Sequence, residues 1–391
     1  MQPLSHPKAI KLLCILLTAL LTACAQTPVE APVPPLDLVG RVSLIQAITL
    51  PSQPQLLEIG VLVFTVDDKQ QQEYQPGDWI FDEIIQKETR FLPHLLKNTL
   101  LESNQWGAIR VVPERDPSLD LFVSGRIIKS DGLNLVLEIN AKDSAGREWL
   151  NKIYADAAGF GDYPESTRFT LDNTFDASNF IDPFQDVYNQ ISNDLLAVRD
   201  SLSEQSLGKL NSVTEMTYAR DLSPDTFART LVEGPDGLLM VDSLLARDDP
   251  MLSRVADMQY RHQLFIDTVD EYYTTLYDDI KPAYVLWRRY SIDEISEAEA
   301  ARQQAESNNY GNSSGFLSLS QRYDRFKWSK IFEREFTELA SGFNTELAPA
   351  ILELNTQVRG LNGTMEQQYR EWRGILRSLF ELETGESITG Q

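Results

Sequence analysis

Cysteine is almost missing from this chain: its 391 residues hold two, Cys14 and Cys24. No disulfide framework can be built from them, so the fold must rest on apolar burial, which a hydrophobic fraction of 42% permits. Histidine is nearly as scarce, with three residues. A zinc centre would have to be completed by carboxylates, and no H-E-x-x-H spacing occurs. No P-loop is present. Gly159 and Gly161 lack the strand–glycine turn–helix order of a dinucleotide fingerprint, and no G-x-S-x-G elbow appears. These absences predict no cofactor, no metal and no catalytic residue. Basic residues are in the minority, 35 against 58 acids, for a formal net charge of -23. Such a chain is a poor partner for nucleic acid and for an anionic bilayer surface.

What is there begins at the amino terminus. Lys8 and Lys11 precede the apolar run Leu12 to Leu21, which is too short to span a membrane. The run closes on Leu21-Thr22-Ala23-Cys24. Residues 1–23 therefore read as a signal peptide ending in a lipobox, cut before Cys24 and lipidated on it, palmitate included. The plainer alternative is a cysteine that follows an ordinary export signal by chance. Acyl chains add about 0.8 kcal/mol per buried CH₂, so a multiply acylated Cys24 is a firm anchor. Cys14 leaves with the signal, and so do Lys8 and Lys11, which makes the remainder more acidic still. Ala25, not Asp, follows Cys24, and this resembles the outer-membrane sorting pattern of enterobacterial-type cells. Residues 24–37 contain four prolines and read as a partly extended tether.

Two folded parts are expected, residues 38–202 and 203–391. In the first, Leu57 to Thr65 is a buried strand, and Ile80 to Ser103 is helical, with a break predicted at Pro93. Ala108 to Val112 is a short strand. Asp120 to Lys129, Leu133 to Ala141 and Glu148 to Ala155 form a three-strand meander. Its turns fall at Asp131-Gly132 and Asp143-Ser144-Ala145-Gly146. Leu133, Leu135, Leu137 and Ile139 alternate with Asn134, Val136, Glu138 and Asn140, the pattern of a strand covered on one face. Gly159 to Asn179 reads as a long loop, and Phe184 to Leu202 as a helix. From 203 onward the β signals disappear. Ser223-Pro224 reads as a helix start and Gly234-Pro235-Asp236-Gly237 as a turn. Leu252 to Arg289 is a long helix interrupted near Pro282, and Ile292 to Ser307 continues it. Tyr323 to Thr356 and Met365 to Glu383 are helical. The predicted fold class is α+β: a small sandwich-like α/β domain with an antiparallel or mixed sheet, followed by an all-helical bundle.

The chemistry-bearing candidates each have a bland reading beside the sharp one. His94, in an apolar helix, reads as packing, and His262, within Tyr260-Arg261-His262-Gln263, reads as lying on a helical surface. The groups Glu333, Glu335, Glu338 and Asp267, Asp270, Glu271 are either solvated faces or carboxylate pairs for a glycosidase-type cleft. Asp172, Asp176 and Asp182 could approach a calcium ion, but their spacing departs from an EF-hand loop. Tyr272, Tyr273, Tyr277, Tyr284, Trp287 and Tyr290 fall on one helical region, and Tyr323, Phe326, Trp328, Phe332, Phe336 and Phe343 on another. They are either bundle core or an aromatic strip for a glycan or a partner.

Residues 55–200, with Ile59-Gly60-Val61-Leu62-Val63-Phe64, an amphipathic helix, Leu121-Phe122-Val123-Ser124-Gly125-Arg126-Ile127 and Asp143-Ser144-Ala145-Gly146, resemble a small α/β domain of outer-membrane lipoproteins. That domain occurs in the curli-secretion channel subunit, in the lipoprotein activators of peptidoglycan synthases and in the amino-terminal domain of the Tol-system β-propeller protein. The resemblance lies in order and texture, and it implies a binding and assembly module. The helical half departs from all three, so neither channel formation nor synthase activation is carried over. The resulting expectation is an envelope binding or scaffold protein without catalytic activity, anchored to the outer membrane through Cys24 and facing the periplasm. It would dock an envelope protein, through an exposed sheet edge for example, with peptidoglycan or polysaccharide as further candidate partners and no nucleic acid. The alternative is a periplasmic enzyme acting on peptidoglycan or polysaccharide through paired carboxylates.

Overall fold

A computed structural model describes residues 36–66, 82–163, 180–243, 246, 249–307, 351–354, 357–360 and 364–384. The lipobox, the 164–179 part of the predicted loop and residues 308–350 lie outside them. So do Asp172, Asp176, the glutamates at 333, 335 and 338 and the aromatic set Tyr323 to Phe343.

The alternation read in 133–141 produces the expected meander. Strands β4 (Leu121–Ser130), β5 (Asn134–Asp143) and β6 (Glu148–Ala157) pair antiparallel, with Leu121 opposite Asp143 and Asn134 opposite Ala157. Gly132 and Gly146 close the two turns at φ +92° and +94°, backbone that glycine adopts without strain. Leu137, Ile139 and Ala141 are fully buried, while Glu138, Asn140 and Lys142 are not. The other half of the sheet is parallel. β1 (Ile59–Leu62) lies between β3 (Ile109–Val112) and β4 and runs parallel to both, so the sheet is mixed, in the order β3-β1-β4-β5-β6. Short β2 (Thr65–Val66) extends along β4.

Because β3 and β4 run the same way on either side of β1, residues 113–120 must carry the chain back across β1. They pass it at Gly60, where a Cβ would lie 2.8 Å from Leu119 Cδ1. The missing side chain is what lets the crossover lie this close to the sheet.

Helix α1 (Asp82–Ser103) packs on the parallel strands and α2 (Gln185–Ser201) packs along β6. The break expected at Pro93 does not occur; α1 is continuous through it. Proline lacks the N–H that would bond to the carbonyl of Thr89. That carbonyl accepts instead from the amide of Phe64, 2.8 Å away, in the chain between β1 and β2. Ahead of β1, the backbone around Val42 and Ile45 is held along α2 by Asp186, Asn189 and Asn193.

The second half is mainly helical: α3 (Glu204–Leu222), α4 (Pro250–Ser307) and α5 (Met365–Thr384). It departs from expectation in four places. A small hairpin, β7 (Leu231–Glu233) with β8 (Leu239–Val241), forms around the Gly234–Gly237 turn. A second hairpin, β9 (Ile351–Leu354) with β10 (Gln357–Gly360), replaces the end of the helix read over 323–356. Ser223-Pro224 does not begin a helix: Ser223 is the C-cap of α3, and its amide bonds back to Ala219. Finally, α4 is one helix through Pro282.

Leu38–Gln391 forms one compact unit, and a single core of buried apolar residues runs from Ile59 and Leu121 in the sheet to Tyr369 and Trp372 in α5. Charged side chains reinforce the join. Asp270 of α4 accepts from Lys97 of α1 at 2.5 Å and from the Val111 amide of edge strand β3 at 2.7 Å. Arg110 of β3 reaches Asp267 at 2.5 Å and Glu58 at 3.0 Å. Arg288 of α4 bonds to Glu88 of α1 and Ser130 of β4, with the Tyr284 hydroxyl donating to Glu88 at 3.0 Å. Asp270 is therefore a clasp between elements, whereas Asp267 pairs with Arg110 from an exposed position and keeps its solvated face. The β3 edge, a candidate for partner docking, is occupied by α4. At the other edge, the Val39 amide donates to Ala155 of β6.

Candidate functional site

Between the 113–120 crossover, the 143–146 turn, the end of α3, the β7–β8 hairpin and α5 lies a cleft of about 780 Å³. Its deepest charged group is Asp116 on the crossover, itself fully buried. Asp116 Oδ1 accepts from the Ser118 amide at 2.8 Å and from the Ser118 hydroxyl at 2.5 Å. Its Oδ2 meets His262 Nε2 of α4 at 2.5 Å and accepts from the Tyr369 hydroxyl of α5. Burial by itself would raise the carboxyl pKa. The adjoining His262 ring and the bonds from Ser118 and Tyr369 override it and hold Asp116 well below the usual carboxylate range.

His262 is fully buried, stacked on Tyr218 with centroids 5.7 Å apart, so its expected place on a helical surface is overturned. The reason is its register. Val255, Met258, Phe265, Ile266, Val269 and Tyr273 form the inward stripe of α4, and His262 falls on that stripe despite its polar neighbours. Its Nδ1 is buried without a partner among the described residues. The ring lies behind Asp116, away from the cleft lining.

A second polar chain reaches the cleft from the turn. The Ser144 and Thr214 hydroxyls lie 2.7 Å apart, and Thr214 donates to Asp120 Oδ1 at 2.6 Å. Asp120 Oδ2 accepts from the Glu58 amide at 2.9 Å. Burial, aided by the neighbouring charges of Glu58 and Asp143, pushes the Asp120 carboxyl up to about 6 despite these bonds. Asp143, on the cleft wall, is also raised by burial, although it accepts from Trp149 Nε1 at 2.9 Å and from the Arg147 amide.

Around this floor the guanidinium groups are divided. Arg373 of α5 binds Asp221 at 3.1 Å, and Arg377 binds the same carboxylate at 2.6 Å. Arg115 and Arg220 also line the cleft, and neither has an ion pair or hydrogen bond among the described residues; Arg115 lies over the Phe122 ring, 5.2 Å from its centroid.

The other sequence candidates lie apart from the cleft. His94 is buried and stacked 4.3 Å from Tyr277, as the packing reading has it. Burial, with Lys97 adding to it, lowers its pKa to about 3. Asp182 is buried, with Oδ1 taken by the Phe184 amide at 2.9 Å, and burial raises it to about 6. Tyr273, Tyr277 and Tyr284 are core residues and Tyr272 packs partly against them, whereas the side chains of Trp287 and Tyr290 lie outside the described residues. Among the described residues Glu271 forms no ion pair like those of Asp267 and Asp270. Among the described residues no group of three or more His, Cys, Asp or Glu could hold a metal ion, and no helix is long and apolar enough to cross a membrane. Neither a protein-family model nor a curated protein matches this chain.

Proposed function

We propose that this chain is a binding or scaffold protein of the cell envelope, anchored by lipid on Cys24 to the periplasmic face of the outer membrane. The observation that carries the binding reading is the state of the His262–Asp116 pair. A histidine–carboxylate couple acting as a general base turns its second ring nitrogen toward the substrate. Here that nitrogen is sealed in the core and the pair joins crossover, α4 and α5. The groups with chemical potential are used to fasten the framework, and the cleft above them is left for a ligand. The order of strands and helices in the first half supports the same reading through its likeness to small domains of envelope lipoproteins.

The test has two arms. Cys24→Ser should abolish lipid attachment and release the protein from the membrane fraction. Unchanged processing and fractionation would remove the anchor. Crosslinking of intact cells, followed by capture and mass spectrometry, should find the chain joined to an envelope component; recovery of only uncomplexed protein would remove the scaffold role.

One observation favours the enzyme reading: Asp120 and Asp143 are close enough to repel each other, and both carboxyls are raised. Hydrolysis of peptidoglycan or polysaccharide that disappears in Asp143→Asn would establish it.

A further inference from the structure

We infer that the cleft between the crossover and α3 is an oxyanion-binding site, built for a phosphate- or carboxylate-bearing small molecule and read by Arg115 and Arg220. This inference concerns the cleft alone and does not depend on the membrane anchor.

The argument is one of charge pairing. The chain carries 58 acids against 35 bases, so a guanidinium left without a carboxylate is against the odds of its composition. The carboxylates at the cleft are mostly taken. Asp116 is held by Ser118, His262 and Tyr369, Asp221 by Arg373 and Arg377, and Asp143 by Trp149 and the Arg147 amide. Glu233, at the hairpin rim, is the exception. Arg115 and Arg220 line the same space with no carboxylate of their own among the described residues. Arg220 is half-buried, so its charge is poorly served by water alone.

Two further donors belong to lining residues. Among the described residues, the Thr217 hydroxyl, one turn before Arg220 on α3, and Arg373 Nε are buried without a hydrogen-bond partner. A planar guanidinium fork matches the paired oxygens of a carboxylate or phosphate, and hydroxyl and N–H donors complete the set. Arg115 is exposed at the mouth of the cleft, and its position over the Phe122 ring holds its charge beside that opening. At about 780 Å³ the cleft has the size of a small-molecule site and not of a single-ion niche.

The experiment uses the full chain and two probes, inorganic pyrophosphate and citrate, followed by titration calorimetry at low ionic strength. Saturable binding of either probe supports the site, and the preferred probe tells phosphate from carboxylate chemistry. Arg115→Gln and Arg220→Gln should each weaken binding about tenfold, the loss of one charge-assisted donor group. Arg261→Gln, whose side chain pairs with Asp257 on α4 outside the cleft, should leave it unchanged. If the variants fold poorly, phenylglyoxal labelling of the unaltered protein replaces them: the bound probe should protect Arg115 and Arg220 from modification while Arg261 still reacts. Failure of both probes to bind, binding undiminished in the double variant, or labelling of Arg115 and Arg220 unaffected by probe would overturn the proposal.

Discussion

His262 meets Asp116 where three distant stretches of chain converge, and the energetics of that meeting are lopsided. The pair with its hydroxyl partners gains little or nothing over two well-packed apolar residues, because both groups had to leave water. Removing one member is different, since it leaves the other buried and unanswered. Asp116→Ala or His262→Ala is expected to cost about 3–5 kcal/mol. Tyr369→Phe, which removes one of several donors to Asp116, should cost about 1–2 kcal/mol. Denaturant unfolding checks both magnitudes. A change below 1 kcal/mol in either alanine variant would mean that the node is not a fastener, and the binding reading built on it would lose its support. The sequence held a signal for this residue. Met258, His262, Phe265, Val269 and Tyr273 recur at helical spacing, yet Tyr260, Arg261 and Gln263 around the histidine suggest a wet surface. Its partner Asp116 lies 146 positions away, and no local pattern points to it. The same holds for the cleft: Arg115 and Arg220 come together only through the fold.

At the scale of elements, Pro93 shows how a residue that reads as a helix breaker can be absorbed. An interior proline disfavours a helix by about 3 kcal/mol relative to alanine. In α1 part of that penalty is already offset, because the carbonyl left over at Thr89 bonds to Phe64 and so ties α1 to the chain after β1. Pro93→Ala restores a competing N–H and should therefore stabilise the protein by well under 3 kcal/mol. Hydrogen exchange at the Phe64 amide should quicken in the variant as its acceptor becomes shared. A full gain in stability with unaltered exchange would show that the Phe64 bond contributes nothing. The meander was legible because period-two alternation runs through most of β5, broken at the buried Val136, and because glycine turns bound that strand; β6 buries its residues in blocks and carries no such period. β7 and β8 are three residues each, too short for any period to register. The parallel placement of β1 was hidden for another reason: strand direction is set by the 113–120 crossover and by the gap at Gly60, neither of which leaves a periodic trace.

For the molecule as a whole, burial of acids within an already acidic chain should shape its response to pH. Asp120 and Asp182 both have folded pKa values near 6, against an unfolded value of about 3.9. An acid of this kind binds its proton in the folded state first, so unfolding between pH 4 and 6 releases protons and stability falls as pH rises through that window. His94 acts in the opposite sense. Its folded pKa is lowered to about 3, so in acid the unfolded chain takes up a proton that the folded chain refuses, and stability falls as pH drops from about 6.5. Asp116 adds a loss only below about pH 4, where its depressed folded pKa leaves the unfolded chain the better base. With two carboxylates against one imidazole, the melting temperature should rise as pH is lowered from 6 toward 4.5, then fall at stronger acid. The variants separate the contributions. Asp182→Asn keeps an acceptor for the Phe184 amide and should flatten the rise, whereas His94→Phe preserves a ring against Tyr277 and should steepen it. A melting temperature that declines steadily from pH 6 to pH 4 in the unaltered protein, with the same slope in Asp182→Asn, would mean that these buried acids stay ionised in the fold.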